Sequence, residues 1–140
     1  MNKAIITLLA LVVLPVCAFA NFTFGGHKDM TVVINNNEAQ VVTTALDMFR
    51  NDYAKVFGGS VTTNAKKGKI VVGTIGLSSL AETLAGPKEV GELKQHEEAF
   101  LVTVKKGKLI VLGSEKRDTA YGMLELSRMM GVSPWEWWAD

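Results

Sequence analysis

The stretch FLVTVKKGKLIVLGSEKRDTAYGMLELSRMMG, residues 100–131, does most to set the architecture of this chain. It begins with two apolar, β-branched runs, 100–104 and 109–112, and the turn between them, 105–108, reads Lys-Lys-Gly-Lys. This pattern predicts two strands paired antiparallel as a hairpin. In the second half the apolar side chains recur at helical spacing, which predicts a helix between Ser114 and Gly131. These side chains are Ala120, Met123, Leu124, Leu126 and Met130.

The chain before this stretch holds a strand followed by a long helix. Residues 31–34 read as a buried strand, and from Glu38 onward the apolar side chains fall three and four residues apart, which makes one helical stripe. Asn37 is the expected N-cap, and Gly58 with Gly59 ends the helix. The stripe consists of Val42, Ala45, Leu46, Phe49, Tyr53 and Val56.

The remaining elements complete an α+β fold. Strands are predicted at 60–63 and 70–75, with a weaker helical turn at 77–84 and then a polar stretch through Pro87 and Gly91. Two helices with apolar stripes are buried most simply on one face of a sheet. We therefore expect a two-layer α/β sandwich, in which a mixed sheet of four to five strands carries the two main helices on one face.

The first twenty residues have the three parts of a secretory signal peptide: a basic start at Lys3, an apolar run and a small-residue exit. We expect residues 1–20 to be removed, which predicts a secreted or periplasmic protein. A lipoprotein cut before Cys17 is disfavoured, because Pro15 and Val16 stand where small residues are wanted. After a cut behind Ala20, no cysteine would remain for disulfides or thiolate metal sites.

Charge and size limit the classes of partner. Without Lys3 the chain has fourteen basic and fourteen acidic side chains, one basic residue fewer than the fifteen of the full sequence. A formal charge of zero argues against nucleic acid and against an anionic membrane as partners, since both require a basic excess gathered on one face. The length left after the leader fits one domain with one modest core.

Histidines and paired acids give no pattern typical of catalysis or metal binding. His27 and His96 each lack the nearby cysteines or carboxylates that would complete a zinc site. Glu97 and Glu98 are adjacent in an expected strand, so their side chains would point to opposite faces and could not act across one glycosidic bond.

The other charged candidates also have structural interpretations. Glu115, Asp118 and Glu125 lie on or before the last helix, where an acid near the N-terminus serves the helix dipole. The lysine-rich turns 66–69 and 105–108 are interpreted as solvated hairpin tips. We therefore predict no catalytic, cofactor-binding or metal-binding residue in this chain.

The last ten residues, GVSPWEWWAD, place Trp135, Trp137 and Trp138 after a complete domain. Each indole buries about 150 to 250 Å², so an exposed triplet would exceed the few hundred Å² of apolar patch that a soluble monomer commonly leaves open. One interpretation makes 131–140 an exit segment that packs against a following domain. Two alternatives stay open: a carbohydrate-binding module that stacks sugars on these rings, and a small envelope protein that self-associates through them.

Residues 113–140 also carry a family resemblance. GSEKRDTAYGMLELSRMMGVSPWEWWAD closely resembles the segment that closes the N-terminal domain of glycoside hydrolase family 115, the xylan α-1,2-glucuronidases. In that family a Gly-Ser-x-Lys-Arg-Gly turn follows a strand, a helix with a Tyr-Gly pair comes next, and Gly-Val-Ser-Pro-Trp-x-Trp-Trp-Ala-Asp leads into the catalytic barrel. Asp118 departs from the pattern, standing where glycine is usual. The matching residues are Gly113, Ser114, Lys116, Arg117, Tyr121, Gly122 and all of 131–140 except Glu136.

This resemblance implies a function for the whole chain. IVVGTIG at 70–76 and EEAFLVTV at 97–104 look like the family's middle strands, so the likeness covers nearly all residues after the leader. It implies that 21–130 form a non-catalytic accessory domain, similar to the N-terminal domain of hexosaminidases and other glucuronidases. The partner implied is a catalytic barrel absent from this chain, and the implied polymer is of xylan type.

Overall fold

A computed structural model describes residues 3–7, 22–25 and 29–133, and for residues 3–7 the backbone alone. This part of the chain forms one six-stranded sheet with four helices packed on it. The strands are β1 Lys3–Thr7, β2 Met30–Ile34, β3 Val61–Asn64, β4 Ile70–Thr74, β5 Ala99–Lys105 and β6 Lys108–Gly113. The helices are α1 Gln40–Phe57, α2 Ser79–Ala85, α3 Pro87–Lys94 and α4 Lys116–Met129.

The sheet is mixed, in the order β1-β5-β6-β4-β2-β3. Strands β6, β4, β2 and β3 run parallel, whereas β5 pairs antiparallel with β6 and with β1. The predicted hairpin is confirmed: it closes at Lys105 opposite Lys108 and extends to Phe100 opposite Gly113. Strand β1 lies inside the predicted leader, so the residues after it contribute five strands, the upper figure of the sequence-based prediction.

The two main helices cover one face of the sheet, as predicted. Helices α1 and α4 contact each other and bury a cluster that includes Phe49, Tyr53, Met123 and Leu126, all fully buried. The strands supply alternate side chains to this cluster. Burying each such side chain stabilises the fold by about 1.5 to 3 kcal/mol. This cluster therefore holds α1 and α4 against the sheet.

The short helices α2 and α3 pack on the opposite face. Ala81, Ala85 and Leu93 lie against Leu101 and Leu112 of the sheet. The sequence pattern predicts only a weak helical turn at 77–84 and no helix at 87–94. In the structure, α3 begins with proline at its first position, where a missing N–H costs nothing. Within the described ranges, none of the four helices combines the length and apolarity needed to cross a bilayer.

Three local expectations were wrong. Turn 66–69 is not a hairpin tip, because the strands that flank it, β3 and β4, lie on either side of β2 and both pair parallel with it. The N-cap of α1 is Ala39 and not Asn37, whose backbone N–H instead donates to Asn35 Oδ1 at 2.9 Å. The acid pair does not lie in a strand: β5 begins at Ala99, and Glu98 has a φ of 54°. A left-handed residue at this point turns the chain sharply into β5, so the alternation of a strand does not apply to this pair.

Candidate functional site

The predicted turn motif forms the junction between β6 and α4, at the carboxyl edge of the parallel strands. Gly113 ends β6, and a β-carbon at this position would lie 2.2 Å from the backbone N of Thr119. Ser114 joins the junction to the start of β5: its N–H donates to the Ala99 carbonyl at 2.9 Å, and its Oγ accepts from the Ala99 N–H at 3.3 Å. The backbone of α4 therefore approaches β6 more closely than any side chain would allow.

Asp118 holds the first turn of α4. Its Oδ2 accepts hydrogen bonds from Ser114 Oγ at 2.7 Å and from the Glu115 N–H at 3.1 Å, and the residue is 1% exposed. A carboxylate in this position satisfies one of the N–H groups that a helix start leaves unpaired and also complements the helix dipole. This agrees with the interpretation of Asp118 as an acid that serves the helix N-terminus.

A buried polar network links this junction to the ends of two other strands. Thr74 Oγ1, at the end of β4, donates to Glu38 Oε1 at 2.9 Å, and it lies 2.7 Å from Thr119 Oγ1. Thr119 Oγ1 also lies 3.1 Å from the Gly73 carbonyl oxygen and 3.2 Å from the Glu115 carbonyl oxygen, so its single hydroxyl proton has three acceptors within reach. Glu38 is 8% exposed, and its Oε2 has no hydrogen-bond partner among the described residues. This network was not found from the sequence, because its members are 36 and 45 residues apart.

The other motif residues on α4 have two different environments. Lys116, Arg117 and Tyr121 are exposed, and Arg117 Nη2 lies 2.5 Å from Glu98 Oε1 in a surface ion pair. Such a pair contributes about 0 to 1 kcal/mol. Gly122 is buried, and a β-carbon there would lie 2.5 Å from Val111 Cγ1. At Gly122 the helix therefore approaches a side chain of the sheet closely.

The strand order reverses between β2 and β4, since β2 leads through α1 to β3 on one side and β4 leads to β5 on the other. Ligands of open α/β sheets bind outside the carboxyl ends of strands at such a point. Here the structure has a pocket of about 200 Å³ lined by Asn35, Asn36 and Ser78, among others. Both ends of the Asn35 amide already have partners, because Oδ1 accepts from the Asn37 N–H and Nδ2 donates to the Leu77 carbonyl, each at 2.9 Å. At about 200 Å³, this pocket is also smaller than a usual ligand site of about 300 to 1,000 Å³.

The remaining candidates lie apart from this junction or outside the described residues. His96 is exposed after α3. His27, Trp135, Trp137 and Trp138 belong to the undescribed parts of the chain. In the ranges that the structure describes, no three His, Cys, Asp or Glu side chains are grouped so that they could hold a metal ion. The junction is built to fix α4 against the sheet.

Comparison with known proteins finds similarity to a solved glycoside hydrolase structure. No protein-family profile and no curated protein matches the chain. Among solved structures, a family GH115 4-O-methyl-α-glucuronidase, described as having specificity for decorated arabinogalactans, is similar with a TM-score of 0.74 and 42% sequence identity. The match covers 80% of this chain and 15% of that enzyme.

The chain is homologous to a domain of a family 115 glycoside hydrolase.

This family 115 domain spans only 15% of the enzyme it matches, which is consistent with one domain of a larger protein. The family resemblance stated from the sequence is therefore confirmed, and so is the fold class. The structure also explains the departure from the family pattern at Asp118. Where the family usually has glycine, this chain uses a buried carboxylate that accepts two hydrogen bonds at the start of α4.

Proposed function

We propose that this chain is the N-terminal accessory domain of a secreted α-glucuronidase-like enzyme, and that it buttresses a catalytic barrel without taking part in catalysis. The observation that carries the proposal is the 42% identity to a domain-sized part of a 4-O-methyl-α-glucuronidase. Because this part is 15% of that enzyme, most of the enzyme lies outside the matched domain.

The geometry of the β6–α4 junction supports a structural role. Gly113 and Gly122 bring α4 against the sheet just before its first turn and at its middle, and Asp118 fixes its first turn. Helix α4 is the last helix among the described residues. A rigid helix at this place suits a domain that holds a neighbouring domain in position.

The proposed substrate of the complete enzyme is a plant polysaccharide that carries 4-O-methylglucuronic acid side groups. The family resemblance suggests xylan, whereas the matched relative is described as specific for decorated arabinogalactans. Both polymers belong in the test.

A domain exchange tests the proposal. In the matched glucuronidase, the homologous domain is replaced by residues 21–133 of this chain in one variant and deleted in a second. We expect the exchanged enzyme to release 4-O-methylglucuronic acid from decorated arabinogalactan, and the deleted enzyme to lose activity and thermal stability. The isolated chain should release none from either polymer. Hydrolysis by the isolated chain, or full activity and stability of the deleted enzyme, would contradict the accessory role.

A further inference from the structure

The two Lys-Lys-Gly-Lys turns, distant in sequence, meet at one edge of the sheet. Turn 66–69 precedes β4 and turn 105–108 precedes β6, and these strands pair parallel with Ile70 opposite Leu109. The Leu109 N–H donates to the Lys69 carbonyl at 2.9 Å, and the Lys69 N–H donates to the Thr31 carbonyl at 3.0 Å. The two turns are therefore side by side at the amino edge of the parallel strands, opposite the β6–α4 junction.

This edge gathers a large share of the positive charge of the chain. Six lysines lie in the two turns, out of fifteen basic residues in the sequence. We call them the lysine surface: Lys66, Lys67, Lys69, Lys105, Lys106 and Lys108. A net charge of zero argues against anionic partners only if no basic excess is gathered on one face. The fold gathers such a basic excess in the lysine surface.

Most of these ammonium groups are available to a ligand. Lys105 Nζ lies 3.3 Å from Glu89 Oε1, in an ion pair with a buried carboxylate. Among the described residues, the other five lysines have no carboxylate at ion-pair distance. Lys66, Lys67 and Lys69 are exposed. The electrostatic potentials of exposed lysines add to one another when the lysines lie within about 8 Å, because this distance is the screening length at physiological ionic strength.

The surface includes a shallow depression, and none of the described residues that line it is aromatic. Thr31 and the two Lys-Gly-Lys segments, 67–69 and 106–108, line an open depression of about 570 Å³. Proteins that bind single-stranded nucleic acid stack the bases on aromatic rings, and this lining offers none. Lysine acts as a point charge without the planar fork that arginine offers to phosphate. The lining therefore suits a flexible polymer with spaced carboxylates better than it suits a nucleic acid.

We infer that the lysine surface binds an acidic polysaccharide through the carboxylates of its uronic acid side groups. The choice of uronate rests on the proposed function, because the matched enzyme acts on 4-O-methylglucuronosyl groups by its description. The surface would hold the acidic polymer on the enzyme at a place separate from the bond that is cut.

Binding of the purified chain to glucuronoxylan and to decorated arabinogalactan tests the inference, with affinity electrophoresis and calorimetry as readouts. The test variant is Lys67→Gln, Lys69→Gln, Lys106→Gln. The matched control is Lys55→Gln, Lys88→Gln, Lys94→Gln, which removes the same charge from exposed positions elsewhere. We expect the test variant to bind about tenfold more weakly, because three exposed charge contacts are lost and their free energies add. The control should bind as the parent does. Raising the salt concentration and reducing the polymer's carboxyl groups should each weaken binding.

Several results would overturn the inference. They are equal losses in both triple variants, undiminished binding to the carboxyl-reduced polymer, no binding to either polysaccharide, and preferential lysine-dependent binding to nucleic acid. The domain exchange separates this inference from the proposed function. If the exchanged enzyme is active and the two triple variants bind alike, only the inference fails. If the exchange fails while charge-dependent binding persists, only the accessory role fails.

Discussion

Replacing Gly113 by alanine should destabilise the domain far more than the size of one methyl group suggests. The added β-carbon would lie 2.2 Å from Thr119 N and 2.7 Å from Thr119 Cα, whereas ordinary contact begins at 3.4 Å. The helix backbone would therefore have to retreat by about 1.2 Å, the difference between 3.4 and 2.2 Å. Overpacking of a core commonly costs about 1 to 3 kcal/mol. Because backbone cannot rotate aside as a side chain can, we expect the free energy of unfolding to fall by about 3 kcal/mol or more.

Gly91→Ala is the matched control for this substitution. Gly91 lies within α3, and a β-carbon there meets no atom within 4 Å. Alanine in a helix interior should therefore stabilise the domain by about 0.5 to 1 kcal/mol. Urea unfolding followed by far-ultraviolet circular dichroism measures both variants, and the slope of the transition shows whether the two-state treatment holds. A Gly113→Ala variant within about 0.5 kcal/mol of the parent, a usual margin for surface changes, would refute the close approach at the junction.

Three further predictions concern single side chains. Asp118→Ala should lower the free energy of unfolding by about 1 to 2 kcal/mol, because Ser114 Oγ and the Glu115 N–H lose their acceptor; an unchanged urea midpoint would contradict this role. Burial raises the pKa of Tyr53 above 10.0, so its neutral form favours the folded state and stability should fall as pH rises above 10.0. That fall should be smaller in Tyr53→Phe. For the exit segment, we expect no saturable tryptophan quenching by xylan fragments, and quenching abolished by Trp137→Ala would favour the carbohydrate-binding alternative.

Strands β2, β4, β5 and β6 and the two main helices could be predicted because each has an apolar pattern of sufficient length, whereas β1 lies in a run that was interpreted as a leader. Helix α3 could not, since its eight residues include Pro87 and Gly91 and only Leu93 and Glu89 are buried. Proline and glycine normally interrupt a helix, and here the first position tolerates the proline. The stability of α3 comes from packing against the sheet, which a local pattern does not record.

The site was predictable only where it is local in sequence. The turn motif 113–122 was found because its residues are contiguous and resemble a family pattern. The network of Glu38, Thr74 and Thr119 depends on which strands are neighbours, and so does the meeting of the two lysine turns. Pairing β4 with β6 requires the crossover through α2, α3 and β5, and this choice has no signal in either turn.

The lysines of these turns exceed what the fold requires. Lys106 and Gly107 have φ values of 52° and 74°, as a two-residue hairpin loop demands, and asparagine adopts that conformation more readily than lysine. Lys106→Asn should therefore leave the free energy of unfolding unchanged or raise it, while it weakens binding of the acidic polysaccharide. Lysine at a position where asparagine fits better supports the proposed role of the charge in binding. If Lys106→Asn instead lowered stability and left binding intact, the lysine would serve the hairpin itself.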